Sequence, residues 1–217
     1  MQEARTVVVV AAGADPDAVR AAGHGTTVIA ADGGLDAALA ANVAPALVIG
    51  DLDSVGPAAL ERARRQGVPV VRHPAEKDAT DLELALDAAL DRSPERLLVL
   101  GSGGGRLDLL LAAALVLASD RYAAVAVDAV LGPARLHVVR DERGLAGEPG
   151  ELVSLLAVHG PAVGVVTDGL RYPLRGETLG PGSSRGVSNV FTQCEARIAL
   201  AGGVLVAVRP GTEEERT

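Results

Sequence analysis

The stretch Ala46–Ser54 reads ALVIGDLDS and joins four apolar residues to a glycine and two aspartates. Its apolar run is too short for a buried helix and has the length of a buried strand. Asp51 and Asp53 follow where that strand would end. Because they are two residues apart, both carboxylates would face the same side of an extended chain. The stretch therefore predicts a buried strand with a pair of acids at its carboxyl end.

The same order, a short apolar run followed by a turn and an Ala-rich segment, recurs through the first half of the chain. It predicts strands over Thr6–Ala11, Thr26–Ala31, Ala46–Ile49, Val68–Arg72, Arg96–Leu100 and Ala124–Val127. It predicts helices over Pro16–Ala22, Leu35–Ala41, Pro57–Gln66, Asp81–Asp91 and Leu107–Ala118. Alternation of this kind is typical of a parallel sheet with crossover helices.

The alternation stops near residue 131, where short β-prone runs separated by Gly and Pro begin. These runs predict strands over Leu136–Val139, Leu152–Val158, Ala162–Thr167, Ala196–Leu200 and Val204–Val208. The stretch Asp141–Gly150 is predicted as a hairpin loop. We therefore expect an α/β fold in two domains, a parallel-sheet α/β domain over 1–131 and an all-β antiparallel sandwich over 132–217.

Composition excludes several classes of protein. The 217 residues carry a net charge of −8, and the pI is near 5.0, which disfavours a nucleic-acid binder that works through phosphate contacts. The longest apolar run, Leu109–Ala118, is far shorter than the roughly 18 residues of a membrane span, and no secretory signal pattern opens the chain. A single cysteine, Cys194, cannot form an internal disulfide, so we expect a cytoplasmic protein with no membrane partner.

Polar clusters follow the predicted strands, where open α/β sheets bind ligands. Asp51 and Asp53 suit Mg²⁺, which prefers carboxylate oxygens and substrate phosphates, and Asp32 and Asp81 occupy equivalent positions after other strands. The alternative interpretation is local: Asp53 and Ser54 would cap the next helix, and Asp32 would be a turn residue before Gly33 and Gly34.

Two further clusters each allow a functional and a structural interpretation. Thr80–Glu83 has the pattern of a capping box, which explains neither the preceding Asp78 nor Lys77, the single lysine of the chain. Gly101–Gly105 before a helix could hold phosphate together with Arg106, although a plain tight turn also uses glycines, and the standard phosphate-loop motifs are absent. Asp108, one turn into an otherwise apolar helix, needs water, a partner or a function.

The segment Gly186–Phe191 combines Ser188 and Asn189 with one of only three aromatic residues, the others being Tyr122 and Tyr172. A turn at a strand edge is the structural alternative. With so few aromatic residues, any ligand ring has very few stacking partners available, and Phe191 is the aromatic residue beside the Ser-Asn pair.

These clusters, in this order, resemble the thiamine pyrophosphokinase (thiamine diphosphokinase) family. Its pattern runs D-G-G, P-x-x-x-x-G-D-x-D-S, D-x-T-D, G-G-R-x-D-H and S-N. The matching residues here are Asp32-Gly33-Gly34, Pro45 with Gly50–Ser54, Asp78–Asp81, Gly104–Asp108 and Ser188-Asn189. One position departs from the pattern, because Leu109 stands in place of its histidine.

The resemblance implies transfer of a pyrophosphoryl group from ATP to thiamine, releasing AMP, in a homodimer whose active sites are shared. The α/β domain would then bind ATP and Mg²⁺, and the β domain would bind thiamine. By analogy, Asp51, Asp53 and Asp81 would hold Mg²⁺. Arg106 would meet phosphate and Asp108 the substrate. Cofactor and substrate contacts would come from Asp32, Gly33, Gly34, Asp78, Gly104, Gly105, Ser188, Asn189 and Phe191.

Three alternatives stay open at this stage. Residues 46–55 mimic the D-x-D signature of haloacid-dehalogenase phosphatases, but Lys77 lies too close for that class's lysine and no later acidic pair follows an apolar strand. A diphosphokinase of the same fold could act on a hydroxymethylpterin, against which Ser188-Asn189 argues. A non-catalytic thiamine- or nucleotide-binding regulator is suggested by Leu109, and the complete acidic set argues against it.

Overall fold

The computed structural model describes residues 5–103 and 106–211. The helices are α1 (Pro16–Gly23), α2 (Gly34–Ala40), α3 (Pro57–Arg65), α4 (Asp81–Leu90) and α5 (Leu107–Leu117), with a short 3₁₀ helix at Asp120–Tyr122. The first strands are β1 (Thr6–Val10), β2 (Thr27–Ala31), β3 (Leu47–Gly50), β4 (Val70–Arg72), β5 (Arg96–Gly101), β6 (Ala126–Leu131) and β7 (Ala134–Val139). The later strands are β8 (Glu142–Ala146), β9 (Leu152–Ala157), β10 (Ala162–Asp168), β11 (Arg175–Leu179), β12 (Asn189–Val190), β13 (Glu195–Ala199) and β14 (Leu205–Arg209).

The chain divides into two compact units, the first of which runs through Leu107 and resumes over Ala124–Gly132. Its six strands pair in parallel in the order β6-β5-β1-β2-β3-β4. Strand order therefore reverses between β1 and β5, and at such a point the loops that leave neighbouring strands diverge and open a crevice.

Helices cover this sheet because almost every strand residue is apolar. Val8, Val10 and Val28 pack with α1 and α2, and a neighbouring cluster joins Ala30 and Val48 to residues of α2 and α3. Helix α4 contacts β1, β2 and β3. A strand that is buried on both faces must be continuously hydrophobic, as TVVVV of β1 and LVIG of β3 are.

The second unit comprises Asp108–Ala123 and the residues from Pro133 onward. It contains two antiparallel sheets, ordered β12-β9-β14-β7 and β11-β10-β13-β8. One hydrophobic cluster takes residues from both sheets, among them Val153, Leu155, Val165, Phe191 and Ile198. The prediction of a mixed α/β fold with an antiparallel β half is confirmed.

Two local features differ from the sequence prediction. Glu142–Ala146, predicted as part of a loop, is strand β8, which pairs with β13 along its whole length. Residues 108–123 group with the β unit, whereas the prediction placed them in the α/β domain. Arg140 of the β unit donates to the carbonyls of Ala118 and Ser119 at 2.6 and 2.7 Å and holds the end of that segment.

None of the helices within residues 5–103 and 106–211 is long and apolar enough to cross a membrane.

Candidate active site

The site begins at Gly50, the last residue of β3, which has a φ of +151°. A Cβ at this position would lie 3.0 Å from the Cβ of Asp32 and 3.1 Å from Oδ1 of Asp81. Glycine therefore serves two purposes: it adopts a backbone conformation that side chains disfavour, and it leaves room for two acids beside the strand end.

Asp32 follows β2 with a φ of +44°, an uncommon conformation for a residue with a side chain. Its backbone N–H donates to the carbonyl of Ile49 at 2.9 Å, which places it beside the end of β3. The next turn is tight because a Cβ on Gly34 would lie only 1.9 Å from the carbonyl oxygen of Val10. Gly34 thus lets α2 begin against β1, and this close packing is a structural reason for the second glycine of the Asp-Gly-Gly motif.

Asp51, Leu52 and Asp53 form a turn after β3. Leu52 adopts a φ of +65° and its side chain is buried. The backbone N–H of Asp53 donates to Oδ1 of Asp51 at 3.2 Å, and Ser54 Oγ donates to Oδ1 of Asp53 at 2.9 Å. Strained residues that recur at strand ends are typical of sites where the surrounding structure holds side chains in position for function.

Asp32, Asp51 and Asp53 each bring one carboxylate oxygen within 4.8 Å of the others. Oδ1 of Asp32 is fully buried and has no hydrogen-bond donor among the described residues. A buried carboxylate oxygen without a donor is costly unless a cation or water meets it. The donor set, three hard oxygens that converge on a small volume, fits a divalent cation such as Mg²⁺.

The pKa of Asp51 lies below its ordinary value. The N–H of Asp53 is the main cause, burial opposes it, and the Lys77 ammonium adds to the lowering. Asp51 is therefore ionised at neutral pH, as a metal ligand must be.

Asp81 has a different environment from the other three acids. It is the first residue of α4, and its Oδ1 lies 3.0 Å from the Nζ of Lys77, which also lies 3.4 Å from Oδ2 of Asp51. The metal set predicted from the sequence was Asp51, Asp53 and Asp81; the group that converges in the structure has Asp32 in place of Asp81. The Lys77 ammonium lies against both Asp51, which belongs to the converging group, and Asp81, which does not.

The capping box at the start of α4 is confirmed. The Thr80 hydroxyl accepts from the Glu83 N–H at 3.3 Å, and the Thr80 N–H donates to the Glu83 carboxylate at 3.1 Å. Thr80 and Glu83 thus each accept the backbone N–H of the other at the start of the helix. Asp78 is exposed in the loop before them.

The glycine-rich loop after β5 is described in part, because Gly104 and Gly105 lie outside the described residues. A Cβ on Gly103 would lie 2.3 Å from the carbonyl oxygen of Leu131. Close packing on β6 therefore explains one glycine of the run. Arg106, Asp108 and Leu109 are exposed where α5 begins.

In the β unit, Ser188 is exposed, whereas Asn189 and Phe191 are buried. The Asn189 side chain is only 3% exposed, and it accepts from the Tyr172 N–H at 2.9 Å and donates to the Tyr172 carbonyl at 2.8 Å. Phe191 is 1% exposed and lies in the hydrophobic cluster between the two sheets, with the Arg209 guanidinium 5.7 Å from its ring centre. The sequence prediction placed Asn189 and Phe191 at the vitamin site; in this structure both side chains are engaged within the fold.

Tyr172 is an exposed aromatic residue to which the sequence interpretation gave no role. It is 52% exposed, whereas Tyr122 and Phe191 are buried. Its backbone is held on both sides by the Asn189 amide, so a buried side chain fixes the position of an exposed ring. The neighbouring Pro173 was the available signal, because a Tyr-Pro pair favours an exposed loop over a strand.

Comparisons with known proteins match both halves of the chain. Family models described as the catalytic domain and the vitamin B1 binding domain of thiamin pyrophosphokinase match residues 20–127 and 135–205. A curated thiamine pyrophosphokinase of Bacillus subtilis is 26% identical over 216 residues, which cover 94% of this chain and 98% of that protein.

Solved structures share the fold. A crystal structure of thiamine pyrophosphokinase from Bacillus subtilis superposes with a TM-score of 0.84 at 24% identity, over 95% of this chain and 99% of that one. The structure from Geobacillus thermodenitrificans gives a TM-score of 0.80 at 25% identity, over 96% and 98%. Thiamin pyrophosphokinase from Candida albicans gives 0.75 at only 13% identity, over 94% and 89%.

Proposed function

The chain belongs to the thiamine pyrophosphokinase family, and from that premise we propose that it transfers the pyrophosphoryl group of ATP to thiamine with Mg²⁺ held by Asp32, Asp51 and Asp53. The products are thiamine diphosphate and AMP. The thiamine hydroxyl oxygen forms a bond to the β-phosphorus, the bond from that phosphorus to the oxygen of AMP breaks, and the hydroxyl proton is released. Neither a pterin substrate nor a non-catalytic role is favoured by the family matches.

The orphaned Oδ1 of Asp32 is the observation that carries the metal assignment. When bound, Mg²⁺ neutralises charge on the transferred phosphates, which is a leading requirement of phosphoryl transfer. The residues of the chain supply position: Gly50 makes room for Asp32, and the N–H of Asp53 holds the Asp51 carboxylate.

We place the ATP phosphates in the crevice between the loops that follow β1 and β5, where strand order reverses. Gly13 has a φ of +71°, and a Cβ on it would lie 2.7 Å from that of Ser102, so the two loops approach closely at their base. Arg106, exposed just beyond, would add a forked donor suited to phosphate.

For thiamine, we propose Tyr172 as the ring partner, with Ser188 and Asp108 as polar contacts. Among the three aromatic residues, Tyr172 is the one whose ring is exposed. Asn189 contributes by holding the Tyr172 backbone. This assignment replaces the predicted stacking on Phe191.

We also propose a homodimer. Leu107, Leu111 and Leu115 recur at four-residue spacing along α5 and are exposed, and an apolar stripe of this kind is typical of a surface that another chain covers. In sedimentation experiments, Leu111→Glu should shift the protein toward monomer, while a monomeric parent would refute the proposal.

Sharing of active sites between subunits is tested by mixing Asp51→Asn and Ser188→Ala subunits, which should regain activity.

The reaction itself is tested by phosphorus NMR of the protein with ATP, Mg²⁺ and thiamine. Thiamine diphosphate and AMP should appear together. ADP with thiamine monophosphate would indicate a simple kinase, and free phosphate alone would indicate a phosphatase.

A further inference from the structure

Lys77 is the single lysine of the chain. It lies against Asp51 and Asp81, two of the four aspartates that we call the acidic edge, the others being Asp32 and Asp53. Its side chain is 14% exposed, and its Nζ lies 3.0 Å from Asp81 and 3.4 Å from Asp51. A compact ammonium on a flexible stem can bridge two carboxylates and can also move away from them, whereas the planar guanidinium of arginine has a fixed fork.

The same Asp51 that meets Lys77 also belongs to the converging carboxylates of the proposed metal site. A divalent cation and the ammonium therefore draw on one carboxylate and repel each other at short range. Lys77 also forms an ion pair with Asp81, four residues later in the chain, so the Asp81 carboxylate already has a cationic partner.

We propose that Lys77 is a positioning residue that acts as the resident counter-ion of this edge: it holds Asp51 and Asp81 in place and competes with the divalent cation, and so sets the affinity of the site. This inference rests on the proposed metal site. It predicts that the protein without nucleotide binds a divalent cation weakly because a positive charge of its own is already present.

The test is binding of Mn²⁺ alone, measured by calorimetry or by the electron paramagnetic resonance of free Mn²⁺, in the parent, Lys77→Met and Lys77→Arg. Lys77→Met keeps the length of the stem and removes the charge, so it should bind Mn²⁺ about tenfold more tightly. Lys77→Arg keeps the positive charge and should bind Mn²⁺ less tightly than Lys77→Met. The difference should shrink when salt rises from about 0.05 M to about 0.5 M, because screening weakens a charge effect.

The direction of the change separates this role from mere structural support. If Lys77 only braced the loop, its removal would loosen the carboxylates and weaken Mn²⁺ binding. Equal or weaker binding by Lys77→Met, in a variant that still unfolds cooperatively, overturns the proposal.

Two controls separate failure of the inference from failure of the metal site. Glu76→Gln, an exposed neighbour in the same loop, should bind Mn²⁺ like the parent. Asp51→Asn should abolish the tight binding in the Lys77→Met background. If Asp51→Asn leaves Mn²⁺ binding intact, the metal site is wrong and the inference fails with it; if Asp51→Asn abolishes binding and Lys77→Met does not strengthen it, only the inference fails.

Discussion

Side chains at the end of β3 and side chains around β12 meet opposite environments. Among the described residues, Asp32 keeps a buried oxygen without a donor, and Asp53 is exposed beside it. Around β12, the amide of Asn189 is satisfied by Tyr172, and the ring of Phe191 is packed between two sheets. Polar groups that lack a hydrogen-bond partner within the fold are available for chemistry, whereas groups that have one support the structure. Variants at the end of β3 should therefore lose activity, and variants around β12 should lose stability.

Asp51→Asn should give the largest effect on activity. Loss of a metal-binding charge should lower kcat by about 10²- to 10³-fold, since charge neutralisation dominates phosphoryl transfer. The free energy of unfolding should change little, because Lys77 keeps its ion pair with Asp81. Steady-state AMP release and thermal unfolding measure the two quantities.

Glu76→Gln is the matched control for that variant and should keep the kcat of the parent. A kcat for Asp51→Asn within threefold of the parent at saturating Mg²⁺ would show that Asp51 is not a metal ligand. The contrast between the two regions would then be wrong.

Phe191→Ala should act on stability. Removal of a fully buried ring leaves a cavity and should lower the free energy of unfolding by about 3 kcal/mol, whereas Phe191→Leu should cost roughly half of that. The KM for thiamine, measured below the unfolding transition, should change less than twofold. A large rise in KM with stability preserved would instead place the ring against the ligand.

Tyr172→Ala should produce the reverse pattern. Loss of an exposed ring should change the free energy of unfolding by less than about 0.5 kcal/mol and raise the KM for thiamine about tenfold, which corresponds to roughly 1.4 kcal/mol of binding. The KM for ATP should stay unchanged. Tyr172→Phe retains the flat face and should behave like the parent; equal losses in both variants would point to the hydroxyl instead of the ring.

The contrast also explains which parts of the molecule the sequence could predict. Asp51 and Asp53 follow an apolar run that can only be a buried strand, and strand ends in a parallel sheet meet at one edge, so their proximity to Asp32 was accessible from the pattern. The convergence of Asp32, and not Asp81, with this pair was not accessible, because it depends on side-chain positions that no local pattern records.

The β unit was harder to predict for a different reason. Strand β8 reads ERGLA, which lacks β-branched residues and contains a glycine, so local propensity favours a loop; pairing with β13 overrides it. Whether an aromatic ring faces a core or a ligand depends on long-range packing that no local pattern records, as Phe191 and Tyr172 show.

The smallest expected effect concerns the capping box beside the acidic edge. Thr80→Ala removes a hydroxyl that accepts the Glu83 N–H and should lower the free energy of unfolding by about 1 kcal/mol, the usual contribution of such a cap. Thr80→Ser keeps the hydroxyl and should retain most of that stability. Since the hydroxyl is already satisfied within the helix end, kcat should change less than about threefold in both variants, even though Asp81 is the next residue. A hundredfold loss of kcat in Thr80→Ala with unfolding unchanged would mean that this hydroxyl meets the substrate, and the division between satisfied and available groups would then fail at the acidic edge itself.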